Sequence, residues 1–154
     1  MELWDCNCCY GLPKKPPVAP AETIADLLRE IDRAGIARAL VRGASQWEQS
    51  PEVANLLVSE DCASDERLIP SWAILPPQTG ELGTVEEFLA AMRKAGVRAL
   101  WAYPEKHRYV LNATTMGGLL EEASDRGIPL FIDRREVPGS GLYALADSVL
   151  RDFP

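Results

Sequence analysis

A glycine hinge that recurs along the chain constrains its fold more than any other feature of the sequence. Gly35, Gly96 and Gly127 each lie between a helix-type amphipathic pattern and a β-type apolar run. A glycine at such a joint supplies the left-handed backbone conformation that ends a helix. The apolar runs begin near residues 3, 36, 67, 97 and 128, about 31 residues apart, which is the length of one βα unit. Regular alternation of this kind predicts a parallel sheet.

The spacing predicts five strands with helices between them. Thr84 and Glu87 have the spacing of a capping box at the start of one helix. Another helix begins after Ser50 and Pro51, and its apolar positions Val53, Leu56 and Leu57 form the predicted buried stripe. The predicted strands cover residues 3–7, 37–42, 68–75, 97–103 and 128–133.

Two architectures accommodate five βα units. An open, doubly wound, flavodoxin-like sheet is complete with five strands, and the length of 154 residues alone favours it. A TIM barrel needs eight units and about 250 residues, so in that case the chain would be a (β/α) barrel truncated after about five units. The turn after the first strand, residues 10–13, lacks the glycine-rich phosphate-binding pattern of many doubly wound sheets. The residues alone leave both architectures open.

Charge and composition limit the partners. The chain has 16 Lys and Arg against 23 Asp and Glu, a formal charge of −7, and its basic residues are dispersed. This argues against nucleic acid or an anionic membrane as partner. No apolar run approaches the roughly 18 residues of a membrane span, and no signal-peptide pattern opens the chain, so we expect a cytoplasmic protein. Three of the four cysteines crowd into one strand end, which favours reduced thiols over a disulfide framework.

Polar and thiol side chains alternate at the end of the first strand. Asp5, Asn7 and Cys9 follow one another at every second position before Gly11. Residues two apart on a strand point the same way, so we expect these three side chains to project together from its carboxyl end. In β/α proteins that end of the sheet carries the chemistry.

This opening resembles the Asp-x-His-x-His-x-Gly motif of the amidohydrolase superfamily of metal-dependent TIM-barrel hydrolases and decarboxylases. Residues 95–104 are similar to that family's fourth strand and its hinge, residues 67–76 to its third strand and residues 126–133 to its fifth. The resemblance implies that residues 1–154 form a single, partial barrel domain that lacks the C-terminal βα units. Open edges at strands one and five would then leave interior side chains such as Asn7 and Trp101 exposed.

The resemblance also implies a site at the carboxyl ends of the strands. In the family a divalent metal, commonly zinc, binds two histidines of strand one and one of strand five, and Asn7, Cys9 and Asp133 stand at these positions. Cys9 and Asp133 are therefore candidate metal ligands, and Asn7 is a candidate substrate-binding residue; a site that has lost its metal is the alternative. Asp133 is also a candidate catalytic group.

Three further residues are candidates for the same site. His107, the only histidine, follows the fourth strand and suits a general acid or base, or is a solvated loop residue. Tyr103, two positions from Trp101, belongs to an aromatic strand face that is either core or a substrate platform. Arg134, after the fifth strand, could bind a substrate carboxylate or lie in a solvated loop.

Two functions follow from the resemblance. The first is a hydrolase or decarboxylase that acts on a small carboxylate, amide or ester at the barrel mouth. The second is a metal-free, non-catalytic member of the same fold that binds a small ligand there. A small-molecule substrate and, for the full-length protein, a homo-oligomer are the partners that the resemblance leaves open. We expect Asn7, Cys9, Tyr103 and Asp133 to surround one concavity.

Overall fold

Five parallel strands form one sheet that curls into a half-barrel. The structure is a computed structural model that describes residues 2–133 and 141–153. The strands are β1 (Leu3–Tyr10), β2 (Ile36–Gly43), β3 (Leu68–Ala73), β4 (Ala99–Ala102) and β5 (Leu130–Ile132). They lie in the order β1-β2-β3-β4-β5, and each pair of neighbours is parallel. This is the sequential order predicted for barrel strands, in which strand one does not lie between strands two and three.

A helix follows each strand on the outer face of the sheet. The helices are α1 (Ile24–Ala34), α2 (Ser45–Glu48), α3 (Pro51–Cys62), α4 (Val85–Lys94), α5 (Ala113–Asp125) and α6 (Gly141–Asp152), with a 3-10 turn at Pro77–Thr79. No helix in the described part of the chain is long and apolar enough to cross a membrane.

The predicted helix ends are confirmed. Thr84 and Glu87 form the capping box of α4, because each side chain accepts a hydrogen bond from the other's backbone N–H. Gly35, Gly96 and Gly127 have φ angles of 66°, 71° and 61°, the left-handed conformation expected at the hinges. Because only glycine adopts this conformation without strain, these joints fix the places where each helix ends and the chain turns back into the sheet.

The core between the sheet and the helices consists of two apolar clusters. Around β3 to β5 it contains fully buried residues such as Ile74, Leu100 and Met116. Around β1 and β2 it contains Cys8 and Cys62 with apolar residues of α1 and α3. The inner face of the sheet carries a smaller cluster of Ala73, Trp101 and Tyr103, packed against Trp47 and Phe131.

Two expectations about burial are wrong. On α3, Val53, Leu56 and Leu57 are between 43% and 55% exposed, whereas Ala54, Asn55, Val58 and Cys62 form the buried face. The helix turns this way because the Asn55 side chain bonds the backbone of β3. Trp101 is only 4% exposed, since aromatic neighbours on the inner face cover it. Asn7 is exposed, as expected.

Candidate functional site at the carboxyl ends of the strands

A cleft of about 560 Å³ opens where β1, β2, β4 and β5 end. Its floor and walls include Cys9, Arg42, Tyr103 and Asp133, one residue from the end of each of these strands or directly after it. The proline-rich loop after β1 forms another wall, with Lys14 and Lys15 among its residues. The remaining lining residues come from this loop, from α2 and from the loop after β4: Gly11, Pro13, Pro16, Pro17, Pro20, Ala21, Trp47, Glu48, Glu105 and Lys106.

A bulge in β1 decides which of its side chains reaches the cleft. Asp5 pairs with Ala39 and Cys8 with Val41, so β1 advances three residues while β2 advances two. An extra residue of this kind interrupts the alternation of side chains between the two faces. Past the bulge, Cys9 pairs with Arg42 and lines the cleft.

The predicted joint projection of Asp5, Asn7 and Cys9 is therefore wrong. Of these three, only Cys9 lines the cleft. Asn7 is exposed, and its backbone N–H donates to Asp5 Oδ1 at 2.8 Å. A role for Asn7 in substrate binding stays a prediction. Its position does not support this role, because Asn7 does not line the cleft.

Arg42 is a buried cation on the cleft wall. Its side chain is 8% exposed, and its guanidinium carbon lies 4.1 Å from the ring centroid of Trp101 and 5.2 Å from that of Trp47. Nη1 donates to the Tyr103 hydroxyl at 3.3 Å and lies 3.6 Å from Asp133 Oδ2. Nε is buried and has no hydrogen-bond partner among the described residues. An arginine has five N–H donors, so Arg42 keeps donor capacity that the protein does not use.

A network of buried amide side chains fixes the strand ends beneath this cation. Gln46 accepts from the backbone N–H of Gly43 and donates to Asn55 and to the Ser71 carbonyl. Asn55 bonds both the N–H and the C=O of Ala73, at 2.8 and 2.9 Å. Buried polar groups that are fully bonded hold one conformation.

Gly43 permits the close packing at the end of β2. A Cβ atom at this position would lie 2.9 Å from Val58 Cγ2 and 3.2 Å from Ser45 Oγ. A side chain here would therefore displace α3 or the start of α2, and with them the amide network. The glycine is required for space and not for its φ angle.

His107 lies behind the cleft wall and not on it. Its ring packs edge-on against Tyr103, with centroids 5.7 Å apart, and both ring nitrogens are buried without a hydrogen-bond partner in the described structure. Burial lowers its pKa; the nearby Gln46 backbone opposes the shift without forming a hydrogen bond of good geometry. The imidazole is therefore neutral at neutral pH. The alternative of a solvated loop residue is wrong, and a catalytic role stays a prediction.

Burial also keeps the Tyr103 hydroxyl neutral. It raises the pKa of Tyr103 above the ordinary value, although Arg42 opposes the shift. The hydroxyl accepts a hydrogen bond from Arg42 and so orients the guanidinium. Its ring lies between Trp47 and Trp101, with centroids 5.7 and 6.0 Å away.

The sequence predicted part of this cleft but not its buried arginine, Arg42. Cys9, Tyr103 and Asp133 line it as predicted, while Arg134 lies outside the described residues. Arg42 and Trp47 were not predicted. The signal for Arg42 was present, because this charged residue lies near the carboxyl end of β2, at the same edge of the sheet as the other candidates.

The described residues do not fit a divalent metal well. No group of three or more His, Cys, Asp or Glu converges within residues 2–133 and 141–153. Of the predicted ligands, Cys9 and Asp133 line the cleft, but the Asp133 carboxylate lies beside the Arg42 guanidinium. A cation bound between them would be repelled by this fixed positive charge. The lining of the cleft therefore does not favour a divalent cation.

Comparison with known proteins gives a likeness of fold. No protein-family model and no curated protein matches the sequence. Among solved structures, the chain is similar to the crystal structure of an uncharacterized TIM-barrel protein, Bb4693 of Bordetella bronchiseptica, with a TM-score of 0.67 and 16% identity over 100% of this chain. The chain spans 64% of the length of that protein. The likeness shows a fold of the TIM-barrel type and carries no statement about activity.

Proposed function

We propose that the cleft binds a small molecule through a carboxylate that Arg42 recognises. The observation that carries this proposal is the state of Arg42: a side chain 8% exposed that lines the cleft and keeps a buried, unpartnered Nε. A buried donor without a partner costs free energy, roughly 1–3 kcal/mol. A carboxylate can offset this cost, because its two oxygens match the geometry of a guanidinium.

The size and lining of the cleft support a small, partly apolar ligand. Its volume of about 560 Å³ lies within the range of small-molecule sites, about 300–1,000 Å³. Trp47 and Tyr103 give it aromatic walls, and Lys14 and Lys15 also line it, with Lys14 paired to Glu48. A carboxylate attached to a small apolar or aromatic body fits this combination.

The barrel setting supports the same location. In TIM barrels the functional site lies at the carboxyl ends of the strands, where this cleft opens. We infer that the five strands are the N-terminal part of an amidohydrolase-related barrel whose metal has been replaced by an arginine. The strand motifs support the family, and the likeness to a TIM-barrel protein supports the barrel fold alone.

The second candidate is catalysis at the same cleft, as a hydrolase or a decarboxylase. It is favoured by a thiol and a carboxylate, Cys9 and Asp133, on the wall beside the cation. Non-catalytic ligand binding needs neither group.

Titration with small carboxylates tests the proposal. The protein is titrated with acetate, benzoate and succinate, and with benzamide as the uncharged counterpart of benzoate. We expect at least one carboxylate to bind, benzamide not to bind, and Arg42→Met to weaken binding about 10- to 100-fold, the loss of one charge-assisted hydrogen-bond pair.

A second arginine of the same strand provides the matched control. Arg38 lies near the amino end of β2, is exposed and stacks over Trp4 outside the cleft. Arg38→Met should leave carboxylate binding unchanged. The proposal is wrong if none of the carboxylates binds, or if Arg42→Met and Arg38→Met weaken binding equally.

A further inference from the structure

The four cysteines of the chain have different surroundings, and one of them lines the cleft. Cys8 and Cys62 are buried in the outer core, where burial raises the pKa of each thiol to about 12. Such thiols stay protonated and inert. Cys6 is exposed and does not line the cleft. Cys9, half-buried, lines the cleft, and its Sγ donates a weak hydrogen bond to the Tyr10 carbonyl at 3.6 Å.

The partner of Cys9 across the strands is the buried cation. Cys9 and Arg42 are paired in the register of β1 and β2, so their side chains leave the sheet on the same face. The Asp133 carboxylate lies beside the guanidinium, with Oδ2 3.6 Å from Nη1. The cleft thus brings together a nucleophile, an unsatisfied donor and a carboxylate that can take a proton. Hydrolysis by covalent catalysis needs these three types of group.

We propose that Cys9 is the nucleophile of a metal-free hydrolysis of small esters or thioesters of carboxylic acids. This inference rests on the proposed function, because the acid released is the carboxylate that Arg42 binds. It also gives the bulge in β1 a role, since the bulge is what places Cys9 on the cleft face of the strand.

The reaction proceeds in two balanced steps. In the first, Cys9 Sγ forms a bond to the acyl carbon, the bond from that carbon to the leaving oxygen or sulfur breaks, and the thiol proton passes through Asp133 to the leaving group. In the second, water adds to the thioester carbon, the C–S bond breaks, one proton of water returns through Asp133 to Sγ, and the acid that is formed releases its remaining proton to solvent. Arg42 donates to the oxyanion formed in both steps and then to the product carboxylate.

The test uses p-nitrophenyl acetate as the ester and mass spectrometry of the acid-quenched protein. We expect p-nitrophenolate release and a transient adduct of one acetyl group on the peptide that contains Cys9. Cys9→Ser should lose the adduct at that position and lower the rate about 100-fold or more, as removal of a nucleophile does. Cys6→Ser, which removes an exposed thiol three residues away on the same strand, should keep both.

The outcomes separate this inference from the proposed function. If Cys9→Ser binds carboxylates like the wild type but no longer forms the adduct, both hold. Cys9 is not the nucleophile if the adduct is absent or lies on another cysteine, or if Cys9→Ser hydrolyses the ester at the wild-type rate. Carboxylate binding by Arg42 is tested separately, by the titration with small carboxylates. Asp133→Asn should slow hydrolysis while the Cys9 peptide remains acetylated for longer, because the return of the proton is impaired.

Discussion

The two faces of the curled sheet are built from different side chains and have different properties. On the outer face, residues such as Leu100 and Ile74 are fully buried under helices and carry no polar groups. On the inner face, the next residue of the same strand, Trp101, stacks on Phe131 and on the guanidinium of Arg42. Of two adjacent residues of β4, Leu100 thus belongs to the apolar core and Trp101 supports the buried guanidinium of Arg42.

Because of this difference, we expect the outer face to contribute mainly to stability and the inner face mainly to ligand binding. The outer face gains from burial alone, which is worth about 25 cal/mol per Å² of apolar surface. The inner face buries a charge with a donor that has no partner among the described residues, an arrangement that costs free energy in the unliganded protein. Such violations of the usual rules are expected at functional sites. We therefore expect substitutions on the outer face to reduce stability, and those at Arg42 and Cys9 to affect ligands first.

The largest loss of stability is expected at the outer face. Leu100→Ala removes a side chain that is 0% exposed and leaves a cavity between β4 and its helices. We expect the free energy of unfolding, measured by urea denaturation, to fall by about 3–4 kcal/mol. Leu150→Ala on α6, at a side chain that is 63% exposed, should change it by less than about 0.5 kcal/mol. Equal effects of the two substitutions would contradict the assignment of the core to this face.

The second effect concerns the amide network under the cleft. Asn55→Ala leaves the N–H and C=O of Ala73 without their partner and deprives Gln46 of an acceptor. We expect a loss of about 2–3 kcal/mol in urea denaturation, because the polar groups that lose their partners remain buried. Gln78→Ala, which removes an exposed amide with one bond to the Thr114 carbonyl, is the control and should have little effect. A small loss at Asn55 would show that water can replace its bonds.

Much of the fold could be predicted because local rules decide it. The glycine hinges and the capping box at Thr84 fix where helices end and begin, and the structure confirms them. The predicted strand limits differ at their ends. β1 continues to Tyr10, past the predicted residue 7, whereas β5 covers only Leu130–Ile132, because residues near the hinge at Gly127 form the turn into the strand.

The site was predicted only in part because two of its determinants are not local. Cys9, Tyr103 and Asp133 could be found, since each ends or follows a strand. The bulge between Asp5 and Cys8 depends on the pairing of β1 with β2 and cannot be read from the sequence of β1. Arg42 was missed because its burial depends on rings and a carboxylate supplied by α2, β4 and the end of β5.

The third prediction uses two valines on one helix to separate the predicted and observed faces of α3. Val58 is 0% exposed and Val53 is 54% exposed, although the sequence pattern placed Val53 in the buried stripe. Val58→Ala should lower the free energy of unfolding by about 2 kcal/mol, from two lost methyl groups and a cavity. Val53→Ala should change it by less than about 0.5 kcal/mol, because alanine also favours the helix. The reverse order would mean that α3 is rotated toward the face that the sequence pattern predicts.

The smallest expected effect lies at the amino end of the sheet, far from the cleft, and depends on pH. Hydrogen bonds from the side chain and backbone of Arg67 lower the pKa of Asp65 from its ordinary value of 3.8 to about 2. A carboxyl whose pKa is lower in the folded state stabilises the protein above pH 4, and this contribution is lost as the pH falls from about 4 through about 2. Because the pair is partly exposed, Asp65→Asn should cost only about 0.5–1 kcal/mol at pH 7. In urea denaturation its difference from the wild type should shrink as the pH falls below 4. Glu66→Gln, at the adjacent exposed carboxylate, is the control and should not lower the free energy of unfolding at pH 7. A difference at Asp65→Asn that stays constant from pH 7 to pH 3 would mean that the turn before β3 depends on the shape of this side chain and not on its charge.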